Sequence, residues 1–180
     1  MSEDFDRRRI VREKIEETEE KAEKLLSFIR ESIRDYLITV KGYAEDDIEE
    51  NVVFEIRVDE KKENTSVDYI INLNGQRFMA LKCSPGALES RERHLVAFAR
   101  VVDTCQIPYA MVTDGSRARL LDVMTGKLLA EGLHSIPARA HAEQMLRTAK
   151  CIACPSERMD REKRILLAFE VIECTKESCE

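Results

Sequence analysis

The chain has 180 residues, 36% of them charged, with a formal net charge of −6, which allows one domain with a proper core plus extensions. That acidity argues against broad nucleic-acid binding, which depends on cationic contacts to phosphate, but leaves room for a local basic patch. No apolar run approaches the roughly 20 residues that span a bilayer, so no membrane segment is expected. The N-terminal MSEDFDRRR lacks the apolar centre of a signal peptide, so the expected location is cytoplasmic.

Residues 1–24 are dense in charge, with Phe5, Ile10, Val11 and Ile15 as scattered apolar positions. Opposite charges at helical spacing predict a solvated helix, able to serve as a partner-binding arm and to drive homo-oligomer formation. From Ala22 onwards Leu25, Leu26, Phe28, Ile29, Ile33, Tyr36 and Leu37 fall on one helical face, and Gly42 supplies a stop. Val52–Val58 alternates as a strand, and the polar Asp59–Thr65 reads as a turn.

Val67–Leu73 and Phe78–Leu81 then form a strand pair across Asn74-Gly75, a hairpin signal because such a turn needs positive φ. Two ionisable groups interrupt this apolar ribbon, Asp68 on its first strand and Lys82 at the end of its second. They pair with each other or reach solvent at an edge, or else a carboxylate holds a cation beside a lysine that steadies a charged nucleophile. After Ser84-Pro85-Gly86, Leu88–Cys105 reads as a helix with Leu95, Phe98, Ala99 and Val102 inward. Ile107–Thr113 predicts a strand covered on both faces. A hairpin over Ala118–Val123 and Lys127–Ala130 follows, then a helix over Arg139–Ala149. This order makes one α/β domain, with residues 25–149 as its body and 150–180 as a Cys-containing segment.

The helix closed by Gly42-Tyr43, VDYII, FMALK, the SPG break, the next helix and IPYAMVTDG, in this order, resemble the N-terminal domain of type I restriction enzyme R subunits, within the PD-(D/E)XK nuclease superfamily. The resemblance covers roughly Leu25 to Leu133. It implies a restriction-endonuclease-like core (α-β-β-β-α-β, a mixed central sheet flanked by helices) that binds DNA. It also implies Mg²⁺-dependent phosphodiester hydrolysis. In such sites an aspartate and a glutamate two residues before a lysine hold the metal, and the lysine stabilises the attacking hydroxide. Asp68 matches the aspartate and Lys82 the lysine, but the glutamate position is Ala80. Two readings follow. Either a carboxylate has moved, with Glu55 as first candidate and Glu50, Glu89 and Glu92 as others, or the fold survives as an inactive nucleic-acid- or protein-binding or assembly module.

Arg91 and Arg93, with Arg100 and His94 on the same helix, are the candidate phosphate contacts, since guanidinium forks bind phosphate bidentately; the alternative is a solvated face balanced by Glu89 and Glu92. Arg117, Arg119, His134 and His141 read as ordinary surface residues. Cys151, Cys154, Cys174 and Cys179 could hold Zn²⁺ or an iron–sulfur cluster, or remain free thiols. Cys83 and Cys105 are expected to be small core residues.

Overall fold

The computed structural model describes residues 2–177, with side chains from 12 to 171. The N-terminal helix α1 (Ser2–Thr39) is continuous. Ile29, Ile33 and Leu37, one helical turn apart, form its buried stripe, and Gly42 ends it at φ +75°. Leu25 and Phe28, expected on the core face, are 49% and 67% exposed. For Leu25 the reason is reach, since residues 12–25 of α1 are all exposed and no layer lies beneath them; Phe28, one residue before the buried Ile29, is turned about 100° off its stripe. The side chains of Phe5, Ile10 and Val11 lie outside the described residues.

A six-stranded sheet follows in simple order: β1 (Ile48–Val58), β2 (Lys61–Leu73), β3 (Gln76–Cys83), β4 (Tyr109–Thr113), β5 (Ala118–Asp122) and β6 (Leu128–Glu131). All neighbours are antiparallel except β3 and β4, whose parallel pairing requires a crossover, supplied by helix α2 (Glu89–Val101). The expected mixed α/β architecture is therefore present. Asn74 and Gly75, at φ +54° and +78°, make the tight β2–β3 turn. The expected polar turn at Asp59–Thr65 is shorter: Lys61–Thr65 pairs with β1. Backbone pairing tolerates polar side chains there because they are exposed, apart from Thr65.

Two apolar layers flank the sheet. Ile29, Ile33, Leu37, Tyr69, Ile71, Leu81 and Met111 pack with Ala142 and Leu146 of helix α3 (Arg139–Thr148) on one side. Ile56, Ile70, Ala80, Phe98, Val112 and Leu166 pack on the other. Leu166 belongs to α4 (Ser156–Glu177), so the C-terminal segment is a structural layer packed against α2. This is why α2 is buried all round from His94 to Val101 rather than on one face. α2 also ends earlier than expected. Asp103 accepts the N–H of Thr104 at 2.7 Å, a local alternative to another helical turn. Among the described residues no helix is long and apolar enough to cross a membrane.

The β4–β5 turn carries a pH-dependent device. Asp114 accepts N–H bonds from Arg117 at 2.7 Å and Ser116 at 3.0 Å, and one from the Arg117 guanidinium at 2.7 Å. Burial works against its ionised form, but these donors hold its carboxyl down to about 2. A depressed folded value means stability that is full above about pH 4 and lost as pH falls through about 2. The stability gap between wild type and Asp114→Asn in urea titrations is expected to shrink over that window; a gap independent of pH would refute this assignment.

Candidate functional site

Asp68 lies on β2 beside an irregularity in β1, where Asn51 takes φ +50° between the pairs Glu50–Tyr69 and Val52–Val67. It is 3% exposed. Its Oδ1 accepts from Arg30 Nε at 2.7 Å, and its Oδ2 from the Cys83 backbone N–H at 2.6 Å. Burial pulls Arg30 down, but the charge and hydrogen bond of Asp68 hold it above its ordinary value. The neighbouring Cys83 thiol is pushed up to about 12 by burial and then by Asp68, so it stays protonated. Tyr69 donates to the Arg30 carbonyl at 2.9 Å, fixing this turn of α1 on the sheet. One turn later Arg34 binds Glu50 at 2.6 Å. Around Asp68 a guanidinium supplies the positive charge and each carboxylate oxygen already accepts one hydrogen bond, and among the described residues no group of three or more His, Cys, Asp or Glu joins it to hold a metal.

Lys82 is directed elsewhere. Strand alternation puts residues 80 and 82 on one face, and Ala80 is packed at 0% exposure in the α2–α4 layer. Lys82 Nζ donates to the Ser66 carbonyl at 3.2 Å. A polar group from three elements gathers at this end of the sheet. The Thr65 hydroxyl lies 2.8 Å from His94 Nε2, which lies 3.3 Å from Glu170 Oε1 on α4. Burial would raise the Glu170 carboxyl, but hydrogen bonds from His94 and Thr65, and the charges of His94 and Lys82, hold it below its ordinary value. His94, expected beside phosphate, is instead 4% exposed and packs edge-on against Phe169, ring centroids 5.4 Å apart. Glu170 is thus a half-buried carboxylate that the sequence did not single out, held by His94 and Thr65 rather than beside Asp68. Its signal was the apolar run Ile165–Ile172, which is a packed helix.

The other candidates are dispersed. Glu55 pairs with Lys62 and Arg57 at 2.6 and 2.7 Å, opposite Asn64. Asn64 is four residues, about 13 Å, along β2 from Asp68. Glu89 and Glu92 both bind Arg119, which also reaches Glu131 at 2.5 Å; Arg119 is a clamp between α2 and the β5–β6 hairpin rather than an ordinary surface residue. Arg91 is half-buried at the start of α2.

The cysteines separate too. Cys105, beyond α2 rather than within it, forms a disulfide with Cys151. That bond takes one of the sulfurs expected to bind metal, while Cys154 is a buried thiol raised by desolvation. The Cys174 side chain and Cys179 lie outside the described residues. Among the described residues no group of three or more His, Cys, Asp or Glu side chains could hold a metal ion.

Arg93 points into a cleft of about 360 Å³ between α2, α4 and the β5–β6 turn, lined also by Arg100, Arg158, Arg161 and Glu162. A second cleft, of about 310 Å³, lies beside the disulfide. Neither is lined by Asp68, Lys82 or Glu55.

A family model for the type I restriction enzyme R protein N terminus matches residues 27–137, from the packed half of α1 through all six strands. The matched residues stop before α3 and α4. No curated protein and no solved structure matches the chain.

Proposed function

Because the chain belongs to the family of type I restriction enzyme R protein N termini, we propose that it is a nucleic-acid-binding member that does not cut. The observation that carries this reading is the Arg30–Asp68 pair at 2.7 Å, a guanidinium at the carboxylate the family resemblance assigns to a metal. Two further features support it. Ala80 is enclosed at 0% exposure, which leaves no room for a coordinating carboxylate there. Lys82 is tied to the Ser66 carbonyl and the Glu170 side of the sheet, not to Asp68.

The chemistry left to such a domain is recognition. Family membership makes DNA the expected partner, and binding would be electrostatic, falling as salt rises. Self-association, if it occurs, would use the exposed half of α1, and sedimentation velocity on the full chain measures it.

The test is calorimetric titration with Mg²⁺ and Mn²⁺ on wild type and Asp68→Ala, with plasmid nicking and duplex binding by fluorescence anisotropy on the same samples. The expected results are no saturable metal uptake dependent on Asp68, no nicking, and duplex binding that weakens with salt. Metal-dependent nicking lost in both Asp68→Ala and Lys82→Ala would replace this reading with a phosphodiesterase. Absence of duplex binding at low salt would leave the protein-binding alternative.

A further inference from the structure

Four arginines converge on the α2–α4 cleft, and three of them share one acid. Glu162 is 1% exposed. Its Oε1 is 2.8 Å from Arg100 Nη1 and 3.6 Å from Arg158 Nε, and its Oε2 is 2.5 Å from Arg93 Nη2. The last contact is close but not aligned as a hydrogen bond, so Oε2 and the buried Arg93 Nη1 both lack a hydrogen-bond partner. Arg161, exposed on the wall, makes no hydrogen bond or ion pair among the described residues. The rim acids Glu89 and Glu92 are engaged by Arg119.

Arg100 is the floor. Besides Glu162 it donates to the carbonyls of Val123 at 2.8 Å and Met124 at 3.4 Å, so its donors are used. Gly126 faces Arg100 Nη2 from a turn at φ +72°, a backbone conformation that favours glycine. Burial lowers Arg100; the charge and hydrogen bond of Glu162 work against this, while the neighbouring charges of Arg158 and Arg93 press it down. Arg158 donates to the Met124 carbonyl at 3.2 Å, which leaves it N–H groups to spare; Arg93 and Arg161 have more.

We propose that this cleft binds a phosphate group, with Arg161, Arg158 and Arg93 as its donors and Arg100–Glu162 as the scaffold that aims them. Guanidinium forks match the oxygens of a phosphate, and a bound anion supplies both the missing negative charge and an acceptor for Arg93. A single structural ion pair would need one arginine, not four. The phosphate can come from a nucleic-acid backbone or from a free nucleotide. Only the first source rests on the reading above. Arg158, Arg161 and Glu162 come from α4, outside the family-matched residues, so the site is additional to what the match covers.

Pyrophosphate, ATP and a labelled duplex are titrated against the full chain at constant ionic strength. The variants are Arg161→Ala, Arg158→Ala, Glu162→Gln and Arg164→Ala, the last an exposed α4 arginine paired with Asp59 outside the cleft. The expected result is saturable pyrophosphate binding, weakened about tenfold or more by Arg161→Ala and by Arg158→Ala and unchanged by Arg164→Ala. Glu162→Gln, which removes the competing carboxylate, tightens it. No pyrophosphate binding, or equal binding across all variants, overturns the site. Duplex binding that weakens with the same variants identifies the source as nucleic acid. ATP binding that follows the variants, with no duplex binding, supports the site while ending the nucleic-acid reading. Duplex binding indifferent to the variants, without pyrophosphate binding, does the reverse.

Discussion

Glu162→Ala is expected to destabilise the fold by about 3–5 kcal/mol, because it strands the buried Arg100 guanidinium without its partner. Glu162 and Arg100 are 1% and 4% exposed, so water cannot replace the lost contact without opening the α2–α4 interface. Arg158→Ala removes a half-exposed partner at 3.6 Å and is expected to cost within about 1 kcal/mol. Urea unfolding followed by circular dichroism separates the two. If Glu162→Ala fails to fold, the paired replacement Arg100→Met with Glu162→Leu keeps the idea testable. Two apolar side chains of similar volume leave no unpaired charge, so stability should return to near wild type. Equal midpoints for wild type and Glu162→Ala would mean that the pair is not buried in solution.

Reduction of the Cys105–Cys151 bond is the second large effect. The bond closes a loop between positions 46 apart, for which chain entropy in the unfolded state corresponds to about 4 kcal/mol. It ties the segment after α2 to the segment before α4, where the Gln106 N–H also donates to the Ile152 carbonyl at 3.0 Å. Reductant should therefore lower the melting temperature by about 10 °C, and Cys105→Ser should lower it as far and abolish the response to reductant. α4 should loosen first, which hydrogen exchange on Ser156–Val171 would register. A wild-type melt indifferent to reductant, with free thiols at Cys105 and Cys151 by peptide mapping, would sink the pairing.

The gap in the metal-binding pattern that the resemblance implies was visible before any coordinates. Ala80 in place of a glutamate is a sequence fact, and its consequence, one ligand and one negative charge fewer, is general chemistry. What sits beside Asp68 was not visible. Arg30 sits 38 positions before Asp68, on a different element, so nothing local marks it as the partner. Leu25 was misplaced for a related reason: helical periodicity says which residues share a face, not whether another layer lies under it.

The C-terminal segment shows the same division. Its cysteine spacing drew attention to metal, whereas its apolar run carried the structural information, a helix that buries Leu166 and brings Glu162 and Glu170 against α2. By itself the sequence determined the strands with their alternation, the Asn74-Gly75 hairpin, the covered strand β4 and the family, because each depends on contacts within a few residues or on residue order. Only the tertiary structure decided that Asp68 meets Arg30, that His94 meets Glu170, and that Cys105 meets Cys151. Those pairings join elements far apart in the chain, and their selection comes from how the layers pack around the sheet, which no local pattern encodes.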